Sequence, residues 1–151
     1  MDKTGPGEKP RVIIDASVAV KWIIPGEPWE EQARILEERI AGMEVEAYAP
    51  TLLTYEVASV VWRAVAGGIL KFDYAVEALE ALGDLGLNLR GIDWTSTVEM
   101  LRVAEETGLT IYDSAYIYLS EKLDARLVTA DRELKEKCEG RAEVILLGEL
   151  A

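Results

Sequence analysis

Polar and apolar positions along the chain fall into two rhythms. Val12, Ile13 and Ile14 form an unbroken run of branched apolar residues, the pattern of a strand buried on both faces. Similar short runs predict strands over 11–15, 46–49, 88–92, 126–129 and 143–147. Between them the spacing turns helical. Trp29, Ala33, Leu36 and Ile40 recur at i, i+4, i+7 and i+11, with Pro28 and Gly42 as boundaries. A strongly apolar helix is predicted from Pro50-Thr51 to about Ala66, closed by Gly67-Gly68, and another over 72–82, closed by Gly83. Trp94, Val98 and Leu101 mark one face of a helix that stops at Gly108, with Ser96 and Glu99 spaced as a capping box. Helices over 112–123 and 132–137 complete the pattern. Strands alternating with helices predict an α/β fold, a parallel sheet with helices on both faces. In such sheets ligands bind beyond the carboxyl ends of the strands.

A chain of 151 residues suits one domain, read here as 11–151 behind a flexible N-terminal segment, 1–10. The chain has no apolar run as long as a membrane span, and its first ten residues lack the apolar segment of a signal peptide. A cytoplasmic protein without a membrane partner is therefore expected. Histidine is absent and Cys138 is the sole cysteine. That excludes imidazole-based triads, thiolate clusters and histidine zinc sites. A hydrolase built from this chain would run on carboxylates, hydroxyls and a hard metal. The 28 acids exceed the 16 bases, for a formal charge of −12. Such an excess disfavours nonspecific nucleic-acid binding and favours bound cations, a basic partner or simple solubility.

The acids at strand ends are the chemical clue. Asp15 follows the first strand in VIIDAS and Asp131 the fourth in LVTAD; each joins a β-branched run to a hydroxyl and a carboxylate. If those strands are neighbours, both carboxylates meet at one sheet edge; helix capping is the simpler alternative. Glu56 and Arg63 are the only charges in TLLTYEVASVVWRAVAG. Burying Glu56 unpaired is costly, so it either pairs with Arg63 two turns away or joins a polar site. Asp113 stands near the start of an aromatic helix, one turn before Tyr116 and Ile117, and either caps it or faces inward. Four convergent carboxylates would repel one another unless a cation compensates, and Mg²⁺ or Mn²⁺ suits an all-oxygen set. Asp93 also follows a strand, but if that strand is at the edge it is only a cap.

These residues bring the chain into line with a known family. IIDAS, TLLTYEV, GLTIYDSAY and LVTAD, in this order, make it similar to the PIN-domain ribonucleases, most closely the VapC-type toxins of toxin–antitoxin pairs. The resemblance runs from Val12 to Leu147. It implies a three-layer α/β/α fold, a five-stranded parallel sheet in the order 3-2-1-4-5. It also implies that Asp15, Glu56, Asp113 and Asp131 hold Mg²⁺ or Mn²⁺, with Ser17 and Thr129 orienting ligands or water. The implied activity is cleavage of RNA by metal-activated water. The implied partners are a cognate antitoxin and a second copy of the chain. Lys21, Arg63 and Arg132 are the bases nearest the acids in sequence and candidate phosphate contacts. Trp22, Trp29 and Trp62 are candidates for base stacking, a dimer interface or the core.

Other readings fit less well. An aspartyl-phosphate phosphatase needs a second acid where Ser17 stands and a lysine before Asp131. Neither GxGxxG nor GxxxxGK occurs, so a nucleotide-binding module lacks its phosphate loop. A non-catalytic PIN-like domain that binds RNA or protein is the serious alternative.

Overall fold

The computed structural model describes residues 7–26 and 28–150. Part of the segment read as flexible, residues 1–6, lies outside them. In chain order the elements are β1 (Arg11–Ile14), α1 (Ala16–Ala19), α2 (Glu30–Ala41), β2 (Glu46–Pro50), α3 (Leu52–Ala66), α4 (Phe72–Asp84), β3 (Asn88–Arg90), α5 (Trp94–Thr107), α6 (Ile111–Leu123), β4 (Arg126–Thr129), α7 (Arg132–Lys137) and β5 (Val144–Leu146). Single 3₁₀ turns occupy Val20–Trp22 and Leu147–Glu149.

All five strands are parallel and stand in the order β3-β2-β1-β4-β5, as expected. β1 is central, and Val12, Ile13 and Ile14 are fully covered, which is why the run carries no polar alternation. Val12 lies opposite Ala47 of β2 and Arg126 of β4, so β1 and β4 end side by side. β3 is a short exposed edge strand, tied on by Asn88 Nδ2 donating to the Ala47 carbonyl at 3.1 Å. Helices cover both faces: α6 lies across β1, β2 and β4 with α5 against it, α3 packs on β2 and α4 on α3, and α7 sits on β4 and β5. Among the described residues no helix is long and apolar enough to cross a membrane.

Several local expectations need correction. α1 and its 3₁₀ continuation carry no periodic signal, being only a few residues long. α4 runs on through Gly83 to Asp84, and the chain reverses at Gly86, whose φ is +98°. The single in-helix glycine costs about 1 kcal/mol, which the packing of Leu82 and Leu85 offsets. α5 is capped by Asp93, whose Oδ1 accepts from both Ser96 N and Ser96 Oγ, so Ser96 sits inside the first turn and does not open a box with Glu99. The Trp94–Val98–Leu101 face of α5 is turned to solvent, Trp94 being 89% exposed. The opposite side packs instead, through Ser96, Met100 and Val103, with Ser96 Oγ 3.0 Å from Tyr118 OH. Nor is α3 buried all round: Leu53, Val57, Val61 and Ala64 face the core, while Tyr55 and Trp62 stand exposed.

Trp22 and Trp29 both serve packing. Trp22 Nε1 donates to the Ala33 carbonyl at 2.8 Å, anchoring α2. Trp29 enters α2 in the left-handed region, φ 69°, and its indole lies where a Cβ on Gly148 would have to go. Gly148 itself has no left-handed φ, and the atoms nearest the added methyl all belong to the Trp29 ring, so the ring is the main opposition to alanine there. Gly148→Ala should therefore lower unfolding stability by about 1–3 kcal/mol in a denaturant titration. The same change in a Trp29→Ala background should cost almost nothing.

Candidate functional site

Asp15 continues β1 by one residue. Its N–H donates to the Val128 carbonyl at 3.1 Å, and the residue is only 6% exposed. Although it precedes α1, its side chain makes no capping bond to that helix. Instead Ser17 Oγ donates to Asp15 Oδ2 at 2.5 Å and Thr129 Oγ1 donates to the same oxygen at 2.7 Å. Each hydroxyl also accepts a backbone N–H from the segment after β4: Ala130 N on Ser17 at 2.9 Å and Asp131 N on Thr129 at 3.0 Å. A hydroxyl has one proton, so both protons go to Asp15, and the 3.2 Å approach of the two oxygens is proximity alone. What Ser17 and Thr129 orient is the carboxylate, and through it the junction of β1 with β4.

Glu56 is half-buried on α3, and Tyr116 OH of α6 donates to its Oε1 at 2.6 Å. Arg63 is not its partner. Tyr116 is fully buried, and burial together with Glu56 pushes its phenol pKa up, keeping it a donor. Asp113 is half-buried on the first turn of α6, yet it is not the cap. Thr110 is the cap, its Oγ1 accepting from Asp113 N at 3.1 Å, which leaves the Asp113 carboxylate to the site. Asp131 does cap: its Oδ1 accepts from Glu133 N at 3.0 Å and Leu134 N at 3.3 Å, opening α7.

The four acids share one field. Burial raises the pKa of Asp15 first, offset in part by Ser17, Thr129 and the Ala16 N–H, with Asp131 raising it further. Burial likewise raises Glu56, against the Tyr116 bond, and the charges of Asp15 and Asp113 add to it. Asp113 is raised by burial, then by Asp15 and Asp131, held back by the nearby Thr110 hydroxyl, with Glu133 a smaller contributor. Such mutual repulsion is what a dication relieves. In kind the donors fit Mg²⁺ or Mn²⁺: oxygens only, one of them deeply buried and fixed. As they stand, no three acids among the described residues close on a single point, so the acids would have to draw in to share an ion.

The candidate bases distribute differently from the acids. Lys21 Nζ donates to the Gly26 carbonyl at 3.2 Å, bracing its own loop. Arg132 lines a hollow with Lys135, Glu136 and Glu149, separate from the one beside Glu56. Arg63 lines the hollow next to Glu56 and Ser17. The base that does feel the acids is Lys137 at the end of α7, paired to Glu133 at 2.8 Å and in the field of Asp113 and Asp131. Neither Lys137 nor Tyr116 was singled out from the sequence. Tyr116 had a signal, standing three residues after Asp113 on the same helix.

A pH dependence follows with a definite sign. A carboxylate whose folded pKa is raised destabilises the fold above that pKa, and the penalty disappears as pH falls toward the unfolded value near 4. In chelator, stability should therefore rise as pH is lowered from 7.5 into the window between the raised values and about 4. Asp113→Asn should raise the urea midpoint at pH 7.5 and lose that advantage at pH 4, since the capping bond belongs to Thr110.

The comparisons with known proteins bear on the fold and the family. The PIN domain model matches residues 12–140. Ribonuclease VapC3 of Pyrobaculum aerophilum is 33% identical over 128 residues, 84% of this chain and 94% of that protein. Exonuclease VapC9 of the same organism is 36% identical over 93 residues, 62% of this chain and 68% of that one. The crystal structure of PAE2754, also from Pyrobaculum aerophilum, superposes with a TM-score of 0.69 at 26% identity, over 92% of this chain and 85% of that one. With a matched span that runs from β1 through α7 and takes in all four acids, the chain belongs to the PIN-domain family, among its VapC-type members.

Proposed function

We propose that the protein is a Mg²⁺- or Mn²⁺-dependent endoribonuclease that cuts single-stranded or loop RNA, acting as the toxin of a toxin–antitoxin pair. The observation that carries this reading is Asp15, a buried carboxylate locked by two hydroxyls in the field of three further acids. Holding four acids together has a cost, and a bound dication is the simplest compensation. When bound, Mg²⁺ or Mn²⁺ would lower the pKa of the attacking water and polarise the phosphoryl oxygen.

The chain's own residues supply placement. Asp15, Glu56, Asp113 and Asp131 are the proposed ligands. Ser17 and Thr129 keep Asp15 from turning, and Tyr116 keeps Glu56 on its side of the site. With no histidine, the site has no ready base for the 2′-hydroxyl of the substrate, so a 2′,3′-cyclic phosphate product is disfavoured. Cleavage should leave 5′-phosphate and 3′-hydroxyl ends. Lys137, paired to Glu133 in the field of Asp113 and Asp131, is the proposed phosphate contact on the α7 side. Unpaired RNA suits a recessed cleft better than duplex, whose bases are unavailable for contact.

The name of the relative VapC9 favours a second reading, trimming from an end. The proposed antitoxin partner follows from VapC-type membership, and an Arg or Lys entering the acids would compete with metal. Self-association is supported by Trp62, Ile69, Phe72 and Tyr74, large apolar side chains exposed along α3, α4 and the turn between them.

Incubated with a circular labelled RNA, the wild type should nick it with Mg²⁺ or Mn²⁺ and leave it intact in EDTA. Activity only on linear RNA would select the exonuclease. Cleavage that survives EDTA, or yields cyclic phosphate ends, would defeat the mechanism, and no cleavage beside intact metal binding would favour the non-catalytic domain. Calorimetric titration should show divalent binding to the wild type and its loss in Asp15→Asn. Light scattering at micromolar concentration should give about twice the 16.7 kDa of one chain.

A further inference from the structure

Beside the acids, between α1 and α3 and under the start of α6, lies an open hollow of about 410 Å³, in the range of small-ligand pockets. Ser17 and Glu56 form its polar end, Tyr55 and Tyr112 contribute aromatic rings, and Arg63 closes the far side. Three features set it apart. Tyr55 and Tyr112 are 75% and 58% exposed, although they come from different helices and line the same space. Neither phenol has a hydrogen bond within the described residues. Arg63 has neither an ion pair nor a side-chain hydrogen bond there, in a chain where acids outnumber bases 28 to 16.

We propose that this hollow is a base-stacking subsite, in which Tyr55 and Tyr112 flank the nucleobase next to the scissile phosphate and Arg63 meets the following phosphate. The assignment rests on the nuclease reading and deepens it by naming where the strand is held. A base offers two faces to aromatic rings, and stacking of this kind is tolerant of sequence. A guanidinium matches phosphate oxygens in a planar, two-pronged geometry. The acids repel the RNA backbone, so grip has to come from groups that do not depend on favourable charge at the reacting centre. Aromatic rings on the Glu56 side provide it, with Arg63 lying beyond the acids where a phosphate no longer faces them.

The test begins by mapping a cleavage site in single-stranded RNA. An abasic nucleotide is then placed on each side of it in turn, and the kinetics of wild type, Tyr55→Ala, Tyr112→Ala and the double variant are compared. Loss of the base on one side should raise KM about tenfold for the wild type, with kcat nearly unchanged. The double variant should show a similar KM on intact RNA and no further loss on the abasic RNA. Tyr→Phe at both positions should restore the wild-type KM, because the ring and not the hydroxyl does the stacking. Both tyrosines are exposed, and thermal melting should show the variants folded. As a readout independent of cleavage, RNA carrying 5-iodouridine at the implicated position should photocrosslink to Tyr55 or Tyr112. Unchanged KM in the variants, or crosslinks elsewhere, would overturn the subsite while leaving the nuclease intact. Variants that lose only capture of a co-expressed protein partner would make the hollow a protein-docking face and overturn it too. Absence of both cleavage and crosslinking in the wild type would overturn the nuclease reading together with the subsite.

Discussion

A carboxylate buried at the end of the central strand must be held by donors, and in this protein that requirement organises everything near it. Asp15 receives one hydroxyl from Ser17, two residues on, and one from Thr129, the last residue of β4. Those hydroxyls in turn take the Ala130 and Asp131 N–H groups. The bonds therefore fix the carboxylate and the course of the chain into Asp131 at once. Because β1 and β4 are adjacent and parallel, their carboxyl ends coincide, and a network of this kind has no other place to form. Removing either hydroxyl would leave a buried oxygen short of a donor, which is the expensive way to lose a hydrogen bond.

Around that fixed point the remaining acids arrive on helices, with different degrees of constraint. Asp131 is tethered by capping α7, and Glu56 by the Tyr116 phenol. Asp113 is relieved of capping by Thr110. The arrangement is most heavily bonded at Asp15 and less so outward, which would suit the proposed ligands if they gather around an ion. Stability and chemistry pull in opposite directions here, since burial and mutual charge raise the very carboxylates that would have to ionise to bind metal.

The −12 charge already counts every base, so ion pairing does not lower it, and what matters is where the acids and bases lie. Glu31 and Glu38 are spent on Arg34 along the outer face of α2, and Glu133 and Glu149 on Lys137 and Lys135. Glu37, in contrast, is half-buried beside Trp22 and Tyr74, and burial raises its pKa. Arg63 lies in the hollow beside Glu56 and Lys137 in the field of Asp113 and Asp131, so the nearby positive charge borders the acids at two different places.

Much of the fold was legible in the chain itself. The covered run VIID, the matching LVTAD and the helix boundaries at Gly42, Gly67 and Gly108 are local signals, set by β-branching and by backbone preference. They determine the α/β class, and with the family resemblance they determined the sheet order as well. Four acids at strand ends and early helix turns were also readable, because an acid in an apolar run is conspicuous. What they do there was not. The Thr110 cap on α6 is local, three residues from Asp113, but whether Glu56 bonds Arg63 or Tyr116 and which face of α5 turns outward depend on partners 60 and 22 residues away. Helical periodicity reports that a stripe exists, not which neighbour covers it. The hollow beside Glu56 likewise exists only because α1, α3 and α6 converge at the carboxyl end of β1, bringing Tyr55 and Tyr112 from distant segments to one space. Local sequence fixes torsion preferences, polarity and a near contact such as Ser17 to Asp15; long-range contact decides which distant polar groups, Thr129 and Tyr116 among them, join the site.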